Sequence, residues 1–291
     1  MTLGRSTPDP TRIAPGLHFV ATPIGAARDI TLRALDILAG ADVLAAEDTR
    51  TLRHLLEIHG IAVAGRPLIA YHDHNGAAVR PRLIAALKDG KSVAYASEAG
   101  TPLVADPGFQ LSRAAIAEGL TVLAAPGPSA VLCALTVSGL PSDRFLFAGF
   151  LPNKSAARKT VLRELKDVQS SLIIYETARR IAASLIDMRD VLGGNRQAAI
   201  CRELTKKYEE VSRGTLLELA EAFAGREVRG EIVVVIDRAG VPETGQKTVE
   251  EALKLAMLTH SLKDAVALVA EGLRLPKRDV YQMALGLGEK E

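Results

Sequence analysis

Short runs rich in Val, Ile, Leu and Ala alternate along this chain with segments of helical period, and Gly, Pro and Asp separate them. A strand covered on both faces reads as a continuous apolar run, so the alternation predicts an α/β protein with a largely parallel core. In the first half, strands are expected at 17–22, 42–46, 67–71, 92–97 and 121–125, with helices between them. A second set is expected at 145–149, 171–175, 197–201, 207–212 and 231–236, with helices over 156–166, 179–192 and 215–223. Arg202 to Gly214 leaves little room for a helix between two strands, which predicts a mixed or antiparallel portion there.

From Gly240 onward the pattern changes. Val249, Ala252, Leu253 and Ala256 fall at helical spacing, and Leu262, Ala265, Val266, Val269 and then Val280, Met283, Ala284, Leu287 repeat it. Thr248 with Glu251 and Ser261 with Asp264 spell capping boxes for two of these helices. The last two, with Arg274, Lys277 and Arg278 about their junction, have the pattern of a helix-turn-helix, open to packing or dimerisation as much as to RNA contact. The expected organisation is two α/β domains and a helical appendage. A flexible N-terminus covers 1–14, an N-terminal α/β domain 15–126, a C-terminal α/β domain 127–239 and a helical tail 245–291, with the break between the α/β domains near Pro126–Pro128.

Composition narrows the partners. The chain has 36 basic and 34 acidic residues for a net charge of +2, so any nucleic-acid contact must come from local clusters. Its 291 residues, 48% of them hydrophobic, suit a protein with more than one buried core. Cys133 and Cys201 sit in apolar runs, as buried thiols of a reducing cytoplasm do, and imply neither a disulfide framework nor a zinc site. His72-Asp73-His74 lacks further ligands at a telling spacing, so no metal is expected. No membrane span and no apolar leader is expected either. Gly245-Gln246-Lys247 puts its lysine out of register for a phosphate-binding P-loop, and no Gly-x-Gly-x-x-Gly fingerprint is present.

The most informative stretch is 97–108, Ser-Glu-Ala-Gly-Thr-Pro-Leu-Val-Ala-Asp-Pro-Gly, which leaves a strand through small, turn-forming residues. Ala99 and Gly100 let backbone amides approach a ligand and Thr101 adds a hydroxyl; a plain tight turn would spell much the same. Thr22-Pro23-Ile24-Gly25 after the first strand and Pro126-Gly127-Pro128-Ser129-Ala130 after the fifth share this character. Three such loops at the carboxyl edge of one sheet would line a cleft.

Together with Asp29-Ile30-Thr31-Leu32-Arg33-Ala34-Leu35, Ala46-Glu47-Asp48-Thr49-Arg50, Gly139-Leu140-Pro141, Asp143-Arg144-Phe145, Gly149-Phe150-Leu151-Pro152, Arg202-Glu203-Leu204-Thr205-Lys206-Lys207 and Arg213-Gly214-Thr215-Leu216, these motifs resemble the tetrapyrrole methylase superfamily. Within it the chain resembles the ribosomal small-subunit methyltransferase I family, from about Leu17 to the C-terminus. Glu98 stands where that family usually has Asp, and Ala178-Arg179-Arg180 where a Pro-His-Arg run is usual.

The resemblance implies S-adenosyl-L-methionine as methyl donor and a cytidine 2′-hydroxyl of small-subunit (16S) ribosomal RNA as acceptor. It also implies a homodimer working in the cytoplasm. By matching position the donor is expected at Pro23, Ile24, Gly25, Glu98, Ala99, Gly100, Thr101, Val104, Ser129, Ala130, Glu176 and Leu204. A proton acceptor is expected among Glu47, Asp48, Glu176, Glu203 and Lys206, with Glu47 and Asp48 placed best at the end of a strand. The alternative for Asp48 is that it caps the helix at Thr49 and pairs with Arg50. Basic groups at Lys154, Arg158, Lys159 and Arg163, at Arg179-Arg180 and at Lys206-Lys207 read by themselves as solvated faces. With the resemblance, Arg50, Lys154, Arg158, Arg179, Arg180, Lys206 and Lys207 are expected to face RNA. The rival activities are methylation of a small tetrapyrrole-type molecule and non-catalytic RNA binding in ribosome assembly.

Overall fold

The computed structural model of the chain describes residues 13–105, 108–239, 243–273 and 275–288. Nearly all of the N-terminal stretch expected to be loose, and Asp106, Pro107 and Arg274, lie outside them.

The first part of the chain alternates strand and helix: β1 (Gly16–Val20), α1 (Leu32–Gly40), β2 (Val43–Ala46), α2 (Thr49–Ile58), β3 (Leu68–Ala70), α3 (Gly76–Lys88), β4 (Ser92–Ala96), α4 (Phe109–Ala117) and β5 (Val122–Ala125). The strands form one parallel sheet in the order β3-β2-β4-β1-β5. Period-two alternation sorts its side chains. Val20, Leu44, Ala46, Ala94 and Ala96 face α1 and α2, whereas Leu17, Phe19, Val43, Ala45, Val93 and Tyr95 face α3 and α4. Both faces are therefore covered, which is why these strands read as unbroken apolar runs.

Next come α5 (Ala130–Ser138), β6 (Phe145–Phe150), α6 (Ser155–Leu165), β7 (Ser171–Thr177), α7 (Ile181–Leu192), β8 (Gln197–Arg202), β9 (Glu210–Thr215), α8 (Leu216–Ala222) and β10 (Glu231–Ile236). This second sheet has the order β6-β7-β10-β8-β9, parallel only between β6 and β7. The expected antiparallel portion is the β8–β9 pair. Its second strand starts at Glu210 rather than 207, because Glu203 (φ 51°) and Thr205 (φ 64°) hold a left-handed turn through the intervening residues. Helices α6, α7 and α8 cover one face through Leu172, Ile174, Ile232 and Val234. Helix α5 covers the other, where Val131, Ala134 and Leu135 meet Ile173, Ala199, Val233 and Val235.

The tail is a unit from Ala239 onward with helices α9 (Glu243–Met257), α10 (Leu262–Gly272) and α11 (Lys277–Gly288) around a core of its own. That core contains Val249, Leu253, Val266, Val269, Val280 and Ala284, as the spacing predicts. Ser261 caps α10 by accepting from the Asp264 N–H, whereas Thr248 lies inside α9 and opens nothing. A capping-box spelling does not forbid helix on its N-terminal side, and extending an existing helix is easy. Among the described residues no helix is long and apolar enough to cross a membrane.

Candidate functional site

Strands β1 and β4 are neighbours, yet α1 follows β1 onto one face of the sheet and α4 follows β4 onto the other. Such a reversal opens a crevice at the carboxyl ends of the strands. Two residues past β1, Thr22 exchanges backbone hydrogen bonds with Gly100, each N–H donating to the other's carbonyl at 3.0 Å. Thr22 Oγ1 donates to the Ser97 carbonyl at 3.1 Å, and Ser97 Oγ to the Gly100 carbonyl at 2.5 Å. Thr101 Oγ1 donates to the Pro128 carbonyl at 2.8 Å, which ties in the loop after β5. Gly100 has φ +81°, and a Cβ on it would stand 3.1 Å from Ile24 Cγ2, so its hydrogen keeps the turn unstrained. The three motif loops are one laced surface.

That surface meets the second sheet at the turn after β8. The Ala26 N–H donates to Thr205 Oγ1 at 3.1 Å. A Cβ on Gly25 would stand 2.5 Å from Lys206 Cγ and 2.6 Å from Thr205 Oγ1. Between the laced loops and the α5-covered face of the second sheet lies a cleft of about 700 Å³, within the usual range for small-molecule sites. Pro23, Ile24, Gly25, Glu98, Ala99, Gly100, Thr101, Val104, Ser129, Ala130, Glu176 and Leu204 all line it, as do Glu47 and Lys206. The structure adds Thr51, Ala105, Phe150, Tyr175, Thr177, Cys201 and the stretch Gly230, Glu231, Ile232, Val233, which sequence reasoning did not assign. Strand β10 carries no motif; it reaches the cleft because it pairs antiparallel with β7, setting Ile232 opposite Glu176 and Val233 opposite Tyr175.

The carboxylates divide sharply. Asp48 does not line the cleft: it caps α2, accepting from the Arg50 N–H at 2.8 Å and pairing with the Arg50 guanidinium at 2.7 Å. Arg50 beside it holds its carboxyl down to about 2, which makes it a poor proton acceptor. Glu203, accepting from the Glu231 N–H and paired with Lys206, is also held below the usual range. Burial pulls the Lys206 amine down, but Glu203 and Glu231, each 2.9 Å away, more than offset it and keep the ammonium charged. The Glu176 side chain is fully buried; it accepts from the Thr177 N–H, Arg180 Nε and Ser184 Oγ. Arg180 Nη2 stands 2.6 Å from the same carboxylate, too oblique for a further hydrogen bond. Burial pushes the Cys201 thiol up to about 12, so this cleft residue is no nucleophile.

The basic residues divide as well. Lys154, Arg179 and Lys207 are exposed, and the Arg50 side chain is 90% exposed. Arg158 corrects the sequence expectation: it is 4% exposed, its Nη2 stands 2.7 Å from Asp187, and it donates to the carbonyls of Pro152 and Asn153. Its position on α6 turns it inward beside Leu162, one turn on, so it serves the fold and not a phosphate. Lys159 pairs with Asp187 and Asp190 on the neighbouring helix.

Residues 16–220 match the family model for Tetrapyrrole (Corrin/Porphyrin) Methylases, and residues 243–288 match the RsmI C-terminal HTH domain. The fold agrees with solved structures: a cobalt precorrin-4 methyltransferase has TM-score 0.57 at 14% identity, over 76% of this chain and 94% of that one. Uroporphyrin-III C-methyl transferase from Thermus thermophilus, complexed with S-adenosylhomocysteine, has TM-score 0.53 at 17% identity, over 76% and 97%. Fold and family model together place this chain in the tetrapyrrole methylase class. Among curated relatives, the ribosomal RNA small subunit methyltransferase I of Mesorhizobium japonicum is 55% identical, over 78% of this chain and 76% of that protein. That of Vibrio cholerae is 45% identical, over 95% of this chain and 96% of its own length. The chain belongs to the ribosomal RNA small-subunit methyltransferase I family.

Proposed function

We propose that this chain transfers a methyl group from S-adenosyl-L-methionine to the 2′-hydroxyl of a cytidine in small-subunit ribosomal RNA. The observation that carries this is the cleft in which the motif loops of the first sheet and the β7–β10 face of the second come together. The cleft suits such a donor. Small residues at Gly25, Ala99 and Gly100 keep its wall close to the backbone, and Glu47, Glu98 and Glu231 give an acidic lining for a cationic ligand. The donor, once bound, supplies an electrophilic methyl group that needs no further activation.

What remains for the protein is alignment, exclusion of water and removal of one proton. Pro23 to Gly25, Glu98 to Thr101, Val104, Ser129, Ala130, Glu176 and Leu204 are assigned to the donor. Glu47 is assigned to the proton: it lines the cleft, whereas Asp48 is committed to its cap and Arg50. Arg50, Lys154, Arg179, Lys206 and Lys207 are assigned to RNA phosphates, whereas Arg180 is spent on Glu176 and Asn153 inside the fold. The division at residue 126 into two α/β domains, a homodimer and a cytoplasmic site of action belong to the same reading, on the strength of the family. Mass in solution checks the dimer.

The test is transfer of labelled methyl to small ribosomal subunits from cells lacking the activity, with the product nucleoside identified. A 2′-O-methylated cytidine is the expected product. Donor binding without transfer to subunits or to naked RNA overturns the acceptor. Glu47→Gln is expected to lower the transfer rate about 100-fold, in the range of lost general-base catalysis, with donor affinity retained. Asp48→Asn transferring as slowly as Glu47→Gln would overturn that assignment.

A further inference from the structure

Strand β6 contains one residue too many. Its pairing with β7 runs Phe147 opposite Ile173, then jumps so that Gly149 lies opposite Ile174 and Phe150 opposite Tyr175. Ala148 is the extra residue, and Gly149 takes φ +65°, which an L side chain resists. In a regular strand Phe147 and Phe150 would point to opposite faces, because side chains alternate. The bulge cancels that alternation. Both phenylalanines lie edge-on against Tyr175, with ring centroids 4.8 Å and 5.5 Å from it at 67° and 65°.

The two rings have unlike surroundings. Phe147 packs with Tyr175 in the core beneath α5. Phe150 is 56% exposed and lines the cleft beside Tyr175. The chain holds only 6 Phe, 5 Tyr and no Trp, and a fold gains nothing by spending a bulge to hold a phenylalanine half in water. A ring fixed from behind with its outer surface open is a platform for another flat ring. The segment that follows Phe150 carries Lys154, and its Asn153 Oδ1 accepts from Arg180, next to exposed Arg179. Aromatic surface and unspent positive charge therefore adjoin, and a nucleotide of RNA presents a base and a phosphate together.

We propose that Phe150, braced by Tyr175, is a stacking platform for a base of the acceptor RNA at or next to the methylated nucleotide. The proposal rests on the acceptor assigned above. A stacked base would fix the ribose beside the cleft without reading a base edge, leaving the 2′-hydroxyl free to be aligned.

The chain lacks tryptophan, so Phe150→Trp installs its one tryptophan at the platform, read by excitation beyond the tyrosine band. Its emission is expected to be quenched by small-subunit RNA in the presence of S-adenosylhomocysteine, and unchanged by S-adenosylhomocysteine alone. Quenching by S-adenosylhomocysteine alone assigns the ring to the donor's adenine and overturns the proposal. RNA that binds and is methylated without quenching overturns it too. Phe150→Ala, checked for an unchanged thermal midpoint, is expected to raise KM for RNA about ten-fold, the order found when one stacked base is lost. Its donor affinity stays within about two-fold, and Phe150→Tyr restores KM. Should the unsubstituted chain bind donor yet methylate no RNA, the acceptor reading itself fails and the platform falls with it. That outcome is distinct from the first two, in which methylation proceeds.

Discussion

The wall of the cleft built by the parallel sheet and the wall built by the mixed sheet use different materials. The first is held by neutral hydrogen bonds among Thr22, Ser97, Gly100, Thr101 and Pro128. The second sheet and its helices bury charge: Glu176 with Arg180 and Ser184 beside the cleft, and Arg158 with Asp187 between α6 and α7. A neutral pair loses little on burial, so deleting one partner costs on the order of 1 kcal/mol. A buried ion stripped of its partner is another matter, because the desolvated charge is left uncompensated. Single polar deletions should therefore be mild in the first half and severe in the second.

The strongest way to break this contrast is Asp187→Ala. It strands the Arg158 guanidinium at 4% exposure, with an expected loss of about 3–5 kcal/mol in urea unfolding. Ser97→Ala, in the other wall, is expected to lose about 1 kcal/mol. The double variant Arg158→Met with Asp187→Leu should recover most of the loss, since a packed apolar pair replaces an ion pair at little cost. If Asp187→Ala unfolds like the parent and instead weakens RNA binding, the pair belongs to the substrate and the contrast fails.

The two walls also differed in how far the sequence revealed them. Apolar runs between helical segments placed every strand of the parallel sheet to within a residue or two, since each is a continuous apolar run with a turn at its end. The motif loops could be assigned to a cleft because Thr22, Gly100 and Pro128 leave strands at the same edge. The second wall was legible only in part. Lys206 and Leu204 sit in a motif, whereas Ile232 and Val233 arrive by antiparallel pairing, which no local pattern encodes. Arg158 was misread because a basic residue on a helix looks solvated until the facing helix brings Asp187 to it. Phe150 was quoted in a motif yet not as a cleft residue, since a one-residue bulge reverses its face and alternation predicts the opposite.

Gly25 sharpens the comparison where the walls come closest. Valine there would drive its Cβ to 2.5 Å from Lys206 Cγ and 2.6 Å from Thr205 Oγ1, and Thr205 already holds φ 64°. Overpacking of this kind costs about 1–3 kcal/mol. Because the clash pries the walls apart, donor affinity measured by calorimetry is expected to fall about ten-fold, 1.4 kcal/mol being a factor of ten. Loss of stability with donor affinity intact would mean that the two walls bind independently.

The smallest effect concerns exposed charge, where the two halves should converge. Glu210 on β9 pairs with Arg226 and Arg202, and the Arg226 guanidinium above all holds its carboxyl down, from 4.5 to about 2. A depressed carboxylate stabilises the fold fully above its unfolded value and ceases to as pH falls through the folded one. Its contribution is therefore present near neutrality and disappears between 4.5 and about 2. As a partly exposed network it is worth on the order of 1 kcal/mol and weakens with added salt. Asp48 in the first half titrates over a similar window, from 3.8 to about 2, through Arg50. Glu210→Gln should accordingly be slightly less stable than the parent near neutrality and equal to it at pH about 2. A gap that persists unchanged into acid, or that ignores salt, would mean that Glu210 acts by packing in the mixed sheet, and that even its exposed ionic contacts differ in kind from those of the parallel one.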